Sequence, residues 1–156
     1  DPNFLIMART DIRATDGLKA AQDRAKALVE AGADAIFPEA MKDLSEFQAI
    51  RDAVDVPILA NVTEFGQSAL FTVDELAGVG VNMVIYPVTL LRSAMGAAER
   101  VLGSLRNDGT QEAEVGNMLT RARLYELVDY EAYNQFDTGL FNFQVPSLFN
   151  TTKESR

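Results

Sequence analysis

The chain has 156 residues and carries 14 basic and 23 acidic side chains, which gives a formal net charge of −9 at pH 7. This excess of negative charge argues against binding to nucleic acids or to anionic membrane surfaces. Cysteine and histidine are both absent, so disulfide bonds, a thiol nucleophile and the commonest zinc ligand are excluded within this chain. No apolar run approaches the roughly 20 residues of a membrane span and no signal peptide is visible, so we expect a cytoplasmic globular protein.

Four short apolar runs alternate with segments whose apolar residues recur at helical spacing. The runs predict strands at Phe4–Arg9, Ala35–Glu39, Pro57–Asn61 and Val81–Tyr86. The other segments predict helices over about 17–31, 44–54, 73–77, 90–105 and 113–128, followed by an aromatic stretch over 130–143. Strands that alternate with helices in this way indicate right-handed βαβ units and a parallel sheet.

Helix boundaries carry capping signals. Asp16 is the predicted N-cap of the first helix, and Gly32 is its predicted C-terminal stop. Two patterns with a glutamate three residues after the cap predict the next two helix starts. They are Asp43 with Glu46, and Thr72 with Glu75.

Two architectures fit this order: an open doubly wound sheet and part of an eightfold barrel. Polar residues stand at the C-terminal ends of consecutive strands, which favours the barrel because its loops converge on one site. An open sheet binds its ligand mainly at one switch point. A full barrel needs about 250 residues, so we predict half of one. Residues 1–106 are assigned to four βα units, 107–143 to a helical segment and 144–156 to a polar tail.

The polar strand ends are the candidate ligand-binding groups. Arg9 could bind a carboxylate through its planar guanidinium, or could simply pair with Asp11. Glu39 follows a buried strand and is either a pocket carboxylate or a rim group paired with a cation. Asn61 and Thr63 lie on the same side of the chain, where they could donate to a carboxylate or serve as turn and capping residues.

Several short segments together resemble bacterial 2-methylisocitrate lyases, which belong to the isocitrate lyase and phosphoenolpyruvate mutase superfamily. The segments are IMARTD at 6–11, IFPEA at 36–40, PILANVTEFG at 57–66, LFTVDEL at 70–76, Tyr86-Pro87, Gly109-Thr110-Gln111 and Thr120-Arg121. The resemblance runs from Asp1 to about Phe141. It implies the C-terminal half of a TIM-type (β/α)8 barrel with extra C-terminal helices.

The resemblance also implies a reaction, the cleavage of 2-methylisocitrate to pyruvate and succinate in the methylcitrate cycle of propionate catabolism. The substrate-binding positions that it implies are Arg9, Glu39, Asn61, Val62, Thr63, Arg92 and Arg121. Taken alone, Arg92 and Arg121 would be interpreted as surface charges on helices. Glu39 is expected to support catalysis by accepting from metal-bound water, and Phe37 and Ile85 are predicted to line a pocket for the substrate's methyl group.

Magnesium is the cofactor that the resemblance implies, but no direct metal ligand is expected within this segment. The family's metal-binding aspartates and its Lys-Arg-Cys-Gly-His loop lie upstream of the segments matched here. We therefore expect an incomplete half of the enzyme that is inactive by itself. The resemblance further implies a homotetramer in which neighbours exchange a C-terminal helix.

Two alternatives stay open at this stage. Isocitrate lyase or another lyase of the superfamily is the first, although VTEFG follows Asn61 here instead of a serine-rich run. A non-catalytic half-barrel that only binds small dicarboxylates is the second, and the absence of cysteine and histidine supports it.

Overall fold

A computed structural model of the chain describes residues 1–142. Its strands are β1 (Met7–Thr10), β2 (Ala35–Pro38), β3 (Leu59–Asn61) and β4 (Met83–Ile85). Its α-helices are α1 (Arg13–Glu30), α2 (Leu44–Arg51), α3 (Val73–Gly78), α4 (Thr89–Asp108), α5 (Arg121–Leu127) and α6 (Tyr130–Phe141). The predicted order of four strands alternating with helices is confirmed, and the predicted tail over 144–156 lies outside the described residues.

The strands pair in parallel, as predicted. β1 pairs with β2 so that Arg9 lies opposite Phe37, and β3 pairs with β4 so that Asn61 lies opposite Ile85. A parallel bridge between Ile36 and Ile58 connects the two pairs. The carboxyl ends of the strands therefore point the same way, which is the condition for bringing the polar residues that follow them together.

The core lies where α1 and α2 pack against the sheet. Ala21 and Ala25 of α1 are fully buried, and these small side chains allow the helix to approach the strands closely. Ile36 and Ile58, on either side of the bridge, are also fully buried. The remaining buried members of the cluster are Ala33, Met41, Phe47, Ile50, Val54, Ala60, Val62, Leu76 and Val81.

The start of α1 differs from the prediction. The helix begins at Arg13, and Asp16 lies within its first turn instead of capping it. Gly17 interrupts the helix with a φ of +87°, a backbone conformation that a residue with a Cβ adopts only with strain. Because Gly17 breaks the helical spacing, the apolar periodicity of the sequence does not extend to the first turn. The predicted stop at Gly32 is confirmed, since this glycine has a φ of +104°.

The capping predictions for α2 and α3 hold. The Asp43 carboxylate accepts from the Glu46 backbone N–H at 3.1 Å. Thr72 and Glu75 form a reciprocal capping box, in which the threonine hydroxyl accepts from the Glu75 N–H and the glutamate accepts from the Thr72 N–H at 2.8 Å. In α2 the Glu46 side chain does not return to its cap; it accepts from the Lys42 N–H instead.

The chain divides into two compact units, the first ending at Glu99 and the second beginning at Arg100. In the second unit the predicted continuous helix over 113–128 is wrong. A 3₁₀ helix covers Glu112–Asn117, and α5 begins only at Arg121, after the cap residue Thr120. Thr120 accepts from the Arg123 N–H at 3.2 Å, so the cap starts a new helix there. Among residues 1–142, no helix is long and apolar enough to cross a membrane.

Candidate active site

Polar side chains from three neighbouring strand ends meet in one chain of contacts. Arg9 Nη2 lies 3.4 Å from Glu39 Oε2. Asn61 Nδ2 donates to the same Glu39 oxygen at 3.3 Å, and Thr63 Oγ1 donates to Asn61 Oδ1 at 2.8 Å. Four of the predicted site residues are therefore brought together: Glu39 contacts both Arg9 and Asn61, and Asn61 in turn accepts from Thr63.

A cavity of about 300 Å³ opens beside this cluster. Glu39, Asn61 and Thr63 provide part of its lining from the strand ends. The remaining lining residues are Ala14, Ala40, Gly66, Gln67 and Ser68. These five were not predicted, because Ala14 lies in the first turn of α1 and the other four lie in loops whose path depends on the assembled fold, and none of them carries a recognisable local signal.

Arg9 is exposed on 51% of its side chain. Its Nε and Nη2 both donate to Asp11, at 3.0 and 2.8 Å, and its guanidinium carbon lies 4.8 Å from the centre of the Phe37 ring. The hydrogen bond from Arg9 lowers the pKa of Asp11, so this carboxylate stays ionised. The predicted pairing of Arg9 with Asp11 is confirmed, and Arg9 also reaches Glu39. Its binding of a carboxylate ligand stays a prediction.

Three predicted residues lie at strand ends without lining the cavity. Val62 is buried in the core, and its backbone N–H donates to the Ile85 carbonyl at 2.9 Å. Phe37 lies beneath Arg9, and Ile85 pairs in register with Asn61. The role of Phe37 and Ile85 as a methyl pocket stays a prediction.

Arg92 is held by a different carboxylate. Its Nη1 lies 3.2 Å from Glu64 Oε2 and also donates to the Glu64 backbone carbonyl. The Thr89 hydroxyl donates to the other Glu64 oxygen, and this hydrogen bond is the main reason that the pKa of Glu64 is lowered. Arg92 is still 42% exposed, so its side chain remains partly accessible to solvent.

Arg121 is the first residue of α5 and belongs to the second unit. It is exposed within that unit. Its predicted participation in substrate binding stays a prediction.

A buried ion pair next to the cluster was not predicted. Arg13 Nε donates to both Glu46 oxygens, at 3.1 and 2.9 Å, and Nη2 adds a third hydrogen bond. The two side chains are only 15% and 10% exposed. No pattern in the sequence connects residues this far apart, so only the packing of α1 against α2 shows the pair.

The described residues do not contain a metal site of their own. Among residues 1–142, no group of three or more acidic side chains is arranged to hold a metal ion. Glu39 supplies one carboxylate to the cavity, with the oxygen atoms of Asn61 and Thr63 nearby. A single carboxylate fits a water-mediated contact to a hard cation, since Mg²⁺ keeps several of its waters.

Comparisons with known proteins give consistent relatives. A family model described as phosphoenolpyruvate phosphomutase matches residues 1–106. The chain is 50% identical to 2-methylisocitrate lyase of Escherichia coli strain K12 over 141 residues, which cover 90% of this chain and 48% of that protein. It is 43% identical to 2-methylisocitrate lyase of Bacillus subtilis strain 168, over 93% of this chain and 48% of that protein. The chain thus spans about half the length of the curated relatives it matches.

Solved structures give the same grouping. Oxaloacetate acetylhydrolase in complex with 3,3-difluorooxalacetate superposes with a TM-score of 0.79 at 28% identity, covering 91% of this chain and 48% of that one. Phosphonopyruvate hydrolase in complex with oxalate and Mg²⁺ superposes with a TM-score of 0.71 at 27% identity, covering 88% and 50%. The family match covers more than half of the chain and agrees with these neighbours, so the chain belongs to the phosphoenolpyruvate phosphomutase family.

Proposed function

We propose that this chain forms half of a lyase that cleaves the carbon–carbon bond of 2-methylisocitrate to give pyruvate and succinate. The observation that carries the proposal is the contact chain of Arg9, Glu39, Asn61 and Thr63, of which Glu39, Asn61 and Thr63 line one cavity. The cavity presents a carboxylate and neutral polar groups, and the Arg9 guanidinium contacts that carboxylate, which together is a set of groups that suits a hydroxylated tricarboxylate. The identity of 43–50% to 2-methylisocitrate lyases supports this choice of substrate.

The proposed roles follow from the chemistry of each group. Arg9 binds a substrate carboxylate, exchanging part of its contact with Asp11 for that ligand. Asn61 and Thr63 donate hydrogen bonds to the carboxylate next to the carbon that gains negative charge. Arg92 and Arg121 are proposed to bind further carboxylate oxygens, and Val62 is proposed as a further substrate-binding position.

The reaction is a retro-Claisen cleavage. A base removes the proton of the substrate's hydroxyl group, the oxygen's electron pair forms the pyruvate carbonyl, and the carbon–carbon bond breaks. Its electrons remain on the carbon of the succinate fragment, which then takes up a proton. This chain has neither cysteine nor histidine, so we propose that the groups that move these two protons come from outside it.

Magnesium is proposed as the cofactor of the complete enzyme. When bound, it would act as a Lewis acid on the oxygens of the 2-hydroxy acid. The described residues supply no complete ligand set, so we assign Glu39 only a contact through metal-bound water. The direct ligands are proposed to lie outside residues 1–142.

The fold proposal is that the parallel strands of this chain form the C-terminal half of a TIM-type (β/α)8 barrel. Four parallel strands with polar groups at their carboxyl ends support it. Exposed apolar side chains on the later helices, including Leu90, Leu102 and Phe136, support the proposed tetramer with helix exchange. Sedimentation of the complete enzyme would test the tetramer.

A second candidate is a protein that binds dicarboxylates without catalysing a reaction, which the absence of cysteine and histidine favours. Assays separate the candidates. The chain is mixed with the part of the Escherichia coli lyase that it does not match, and pyruvate release from 2-methylisocitrate is measured with Mg²⁺. We expect turnover from the mixture and none from either part. Glyoxylate release from isocitrate at a comparable rate would contradict the proposed substrate.

Calorimetry with succinate provides a second test that does not require assembly. Binding to the 156-residue chain that is lost in Arg9→Met supports the site. Turnover by the chain alone would contradict the proposal that the proton-transferring groups lie elsewhere.

A further inference from the structure

We propose that Arg13 and Glu46 are a positioning pair that fixes the loop carrying Glu39, and so preorganises the cavity. This inference rests on the proposed function in one respect, namely that Glu39 faces a ligand. It assigns a role to two residues that do not line the cavity.

The pair joins the segments that follow β1 and β2. Arg13 lies just beyond Arg9 and Asp11 at the start of α1, whereas Glu46 lies in the first turn of α2. Arg13 makes three hydrogen bonds to Glu46. One contact therefore connects the chain segments from which Arg9 and Glu39 project.

Glu46 also holds the backbone of the intervening loop. Its Oε2 accepts from the Lys42 N–H at 2.8 Å, three residues after Glu39. Within this loop Ala40 has a φ of +63°, which is unusual for a residue with a Cβ. A backbone in that region needs surrounding contacts to maintain it, and the Lys42 hydrogen bond supplies one.

The loop is fixed from its other side as well. The Ser68 hydroxyl donates to the Met41 carbonyl, and the Met41 side chain is buried in the core. The loop that follows β3 and the start of α1 thus hold the Glu39 loop between them. Ala14, Ala40 and Ser68, neighbours of these contacts, all line the cavity.

Because the pair is largely buried, its main effect is to fix one conformation of the neighbouring loops and not to add net stability. Two desolvated charges contribute little net stability compared with apolar side chains of similar size. Their directional hydrogen bonds, however, define one geometry for the loops, which apolar contacts would not. Binding sites depend on such support, because an error of about 1 Å in a binding group can cost on the order of a hundredfold in rate.

The test compares the 156-residue chain with the double variant Arg13→Met/Glu46→Leu, which replaces the pair by apolar groups. Lys19→Met is the matched control, since it removes an exposed ion pair with Asp23 from the same helix. Two quantities are measured at a temperature below the unfolding transition of each protein. They are the NMR signals of the Asn61 side-chain amide, which donates to Glu39, and the dissociation constant for succinate.

We expect the double variant to shift the Asn61 amide signals and to bind succinate about tenfold or more weakly, while Lys19→Met changes neither. Unchanged Asn61 signals and unchanged affinity in the folded double variant would overturn the proposal and leave the pair a purely structural contact. If the double variant does not fold, Glu46→Gln provides the same comparison, with a smaller change in the same direction expected.

The two proposals fail differently. If the wild-type chain does not bind succinate but the variant still shifts the Asn61 signals, the proposed ligand is wrong and the positioning role stands. If succinate binds equally well to both and the signals coincide, the positioning role is wrong and the proposed ligand stands.

Discussion

Two arginine–glutamate pairs, Arg9 with Glu39 and Arg13 with Glu46, differ in their exposure to solvent and in the hydrogen bonds between them. Arg9 and Glu39 are separated by 3.4 Å, with 51% and 24% of their side chains exposed. Arg13 and Glu46 share three hydrogen bonds and are 15% and 10% exposed. The exposed Arg9–Glu39 pair can be replaced by a contact with a ligand at little cost in free energy. Breaking the buried Arg13–Glu46 pair leaves a buried charge without a partner, which costs much more. The first therefore suits binding and the second suits positioning.

The largest expected effect is on the Arg9–Glu39 pair. Arg9→Met should weaken succinate binding about tenfold to a hundredfold, because it removes a charge-assisted contact to a carboxylate. The thermal midpoint should stay within about 2 °C of wild type, since exposed groups contribute little to stability. Calorimetry and thermal unfolding measure both quantities. A large loss of stability would show that Arg9 supports the fold, and would contradict the distinction between a binding pair and a positioning pair.

Glu46→Gln should have the opposite profile. It leaves Arg13 without its anionic partner in a site that solvent barely reaches. We expect the thermal midpoint to fall by about 5 °C or more. Thermal unfolding followed by circular dichroism measures this, with Gln48→Ala on the same helix as a control. A midpoint equal to that of wild type would show that the pair is not effectively buried.

The stability that Glu46 provides should depend on pH. The hydrogen bond from Arg13 lowers the pKa of Glu46 below its ordinary value of 4.5, despite the opposing effects of burial and of nearby Asp43. A carboxylate with a lowered folded-state pKa contributes stability above its unfolded pKa and loses that contribution as the pH falls through the folded value. The difference in thermal midpoint between wild type and Glu46→Gln should therefore be largest near neutral pH.

The same difference should shrink below pH 4.5. Thermal unfolding of both proteins over this range measures the contribution of Glu46, because the two proteins differ only at that side chain. A difference that grows as the pH falls would contradict the assigned direction.

A smaller effect is expected at the capping box of α3, away from both pairs. Thr72→Ala removes the hydroxyl that accepts from the Glu75 N–H at 3.2 Å. The free energy of unfolding should fall by about 1 kcal/mol. Denaturant titration measures it, and Thr72→Ser should retain most of the stability because serine caps equally well.

The smallest effect is expected for the exposed pair between Lys19 and Asp23, with side chains 77% and 57% exposed. Lys19→Met should move the thermal midpoint by less than about 2 °C, because solvent and side-chain entropy cancel most of such an attraction. A larger change would mean that exposure is a poor guide to the strength of ion pairs in this chain.

The cluster around Glu39 was predictable because local patterns carried it. Arg9, Glu39 and Asn61 each follow a short apolar run, and parallel strands bring their carboxyl ends to the same edge. The capping of α2 and α3 was predictable for a similar reason, since a cap and its partner lie within one turn. These contacts depend on neighbours in sequence and on one rule of topology.

Other features could not be predicted from local patterns. The attachment of Arg92 to Glu64 depends on where the loop after β3 meets the start of α4. The apolar periodicity predicted one continuous helix over 113–128, but the structure has a 3₁₀ helix and then α5, because the Thr120 cap competes with helix continuation. In both cases the local sequence allows more than one structure, and the packing of the folded chain selects one of them.

The amino-acid sequence by itself determined the alternation of strands and helices, the polar strand ends and the N-terminal caps of α2 and α3. Each of these is a short-range consequence of side-chain period or of an unsatisfied backbone group. Only the tertiary structure decided that Arg13 meets Glu46, that Ser68 fixes the Met41 carbonyl and that the cavity opens between them. Such contacts join residues distant in sequence, and their geometry exists only once the helices have packed on the sheet and excluded water from between them.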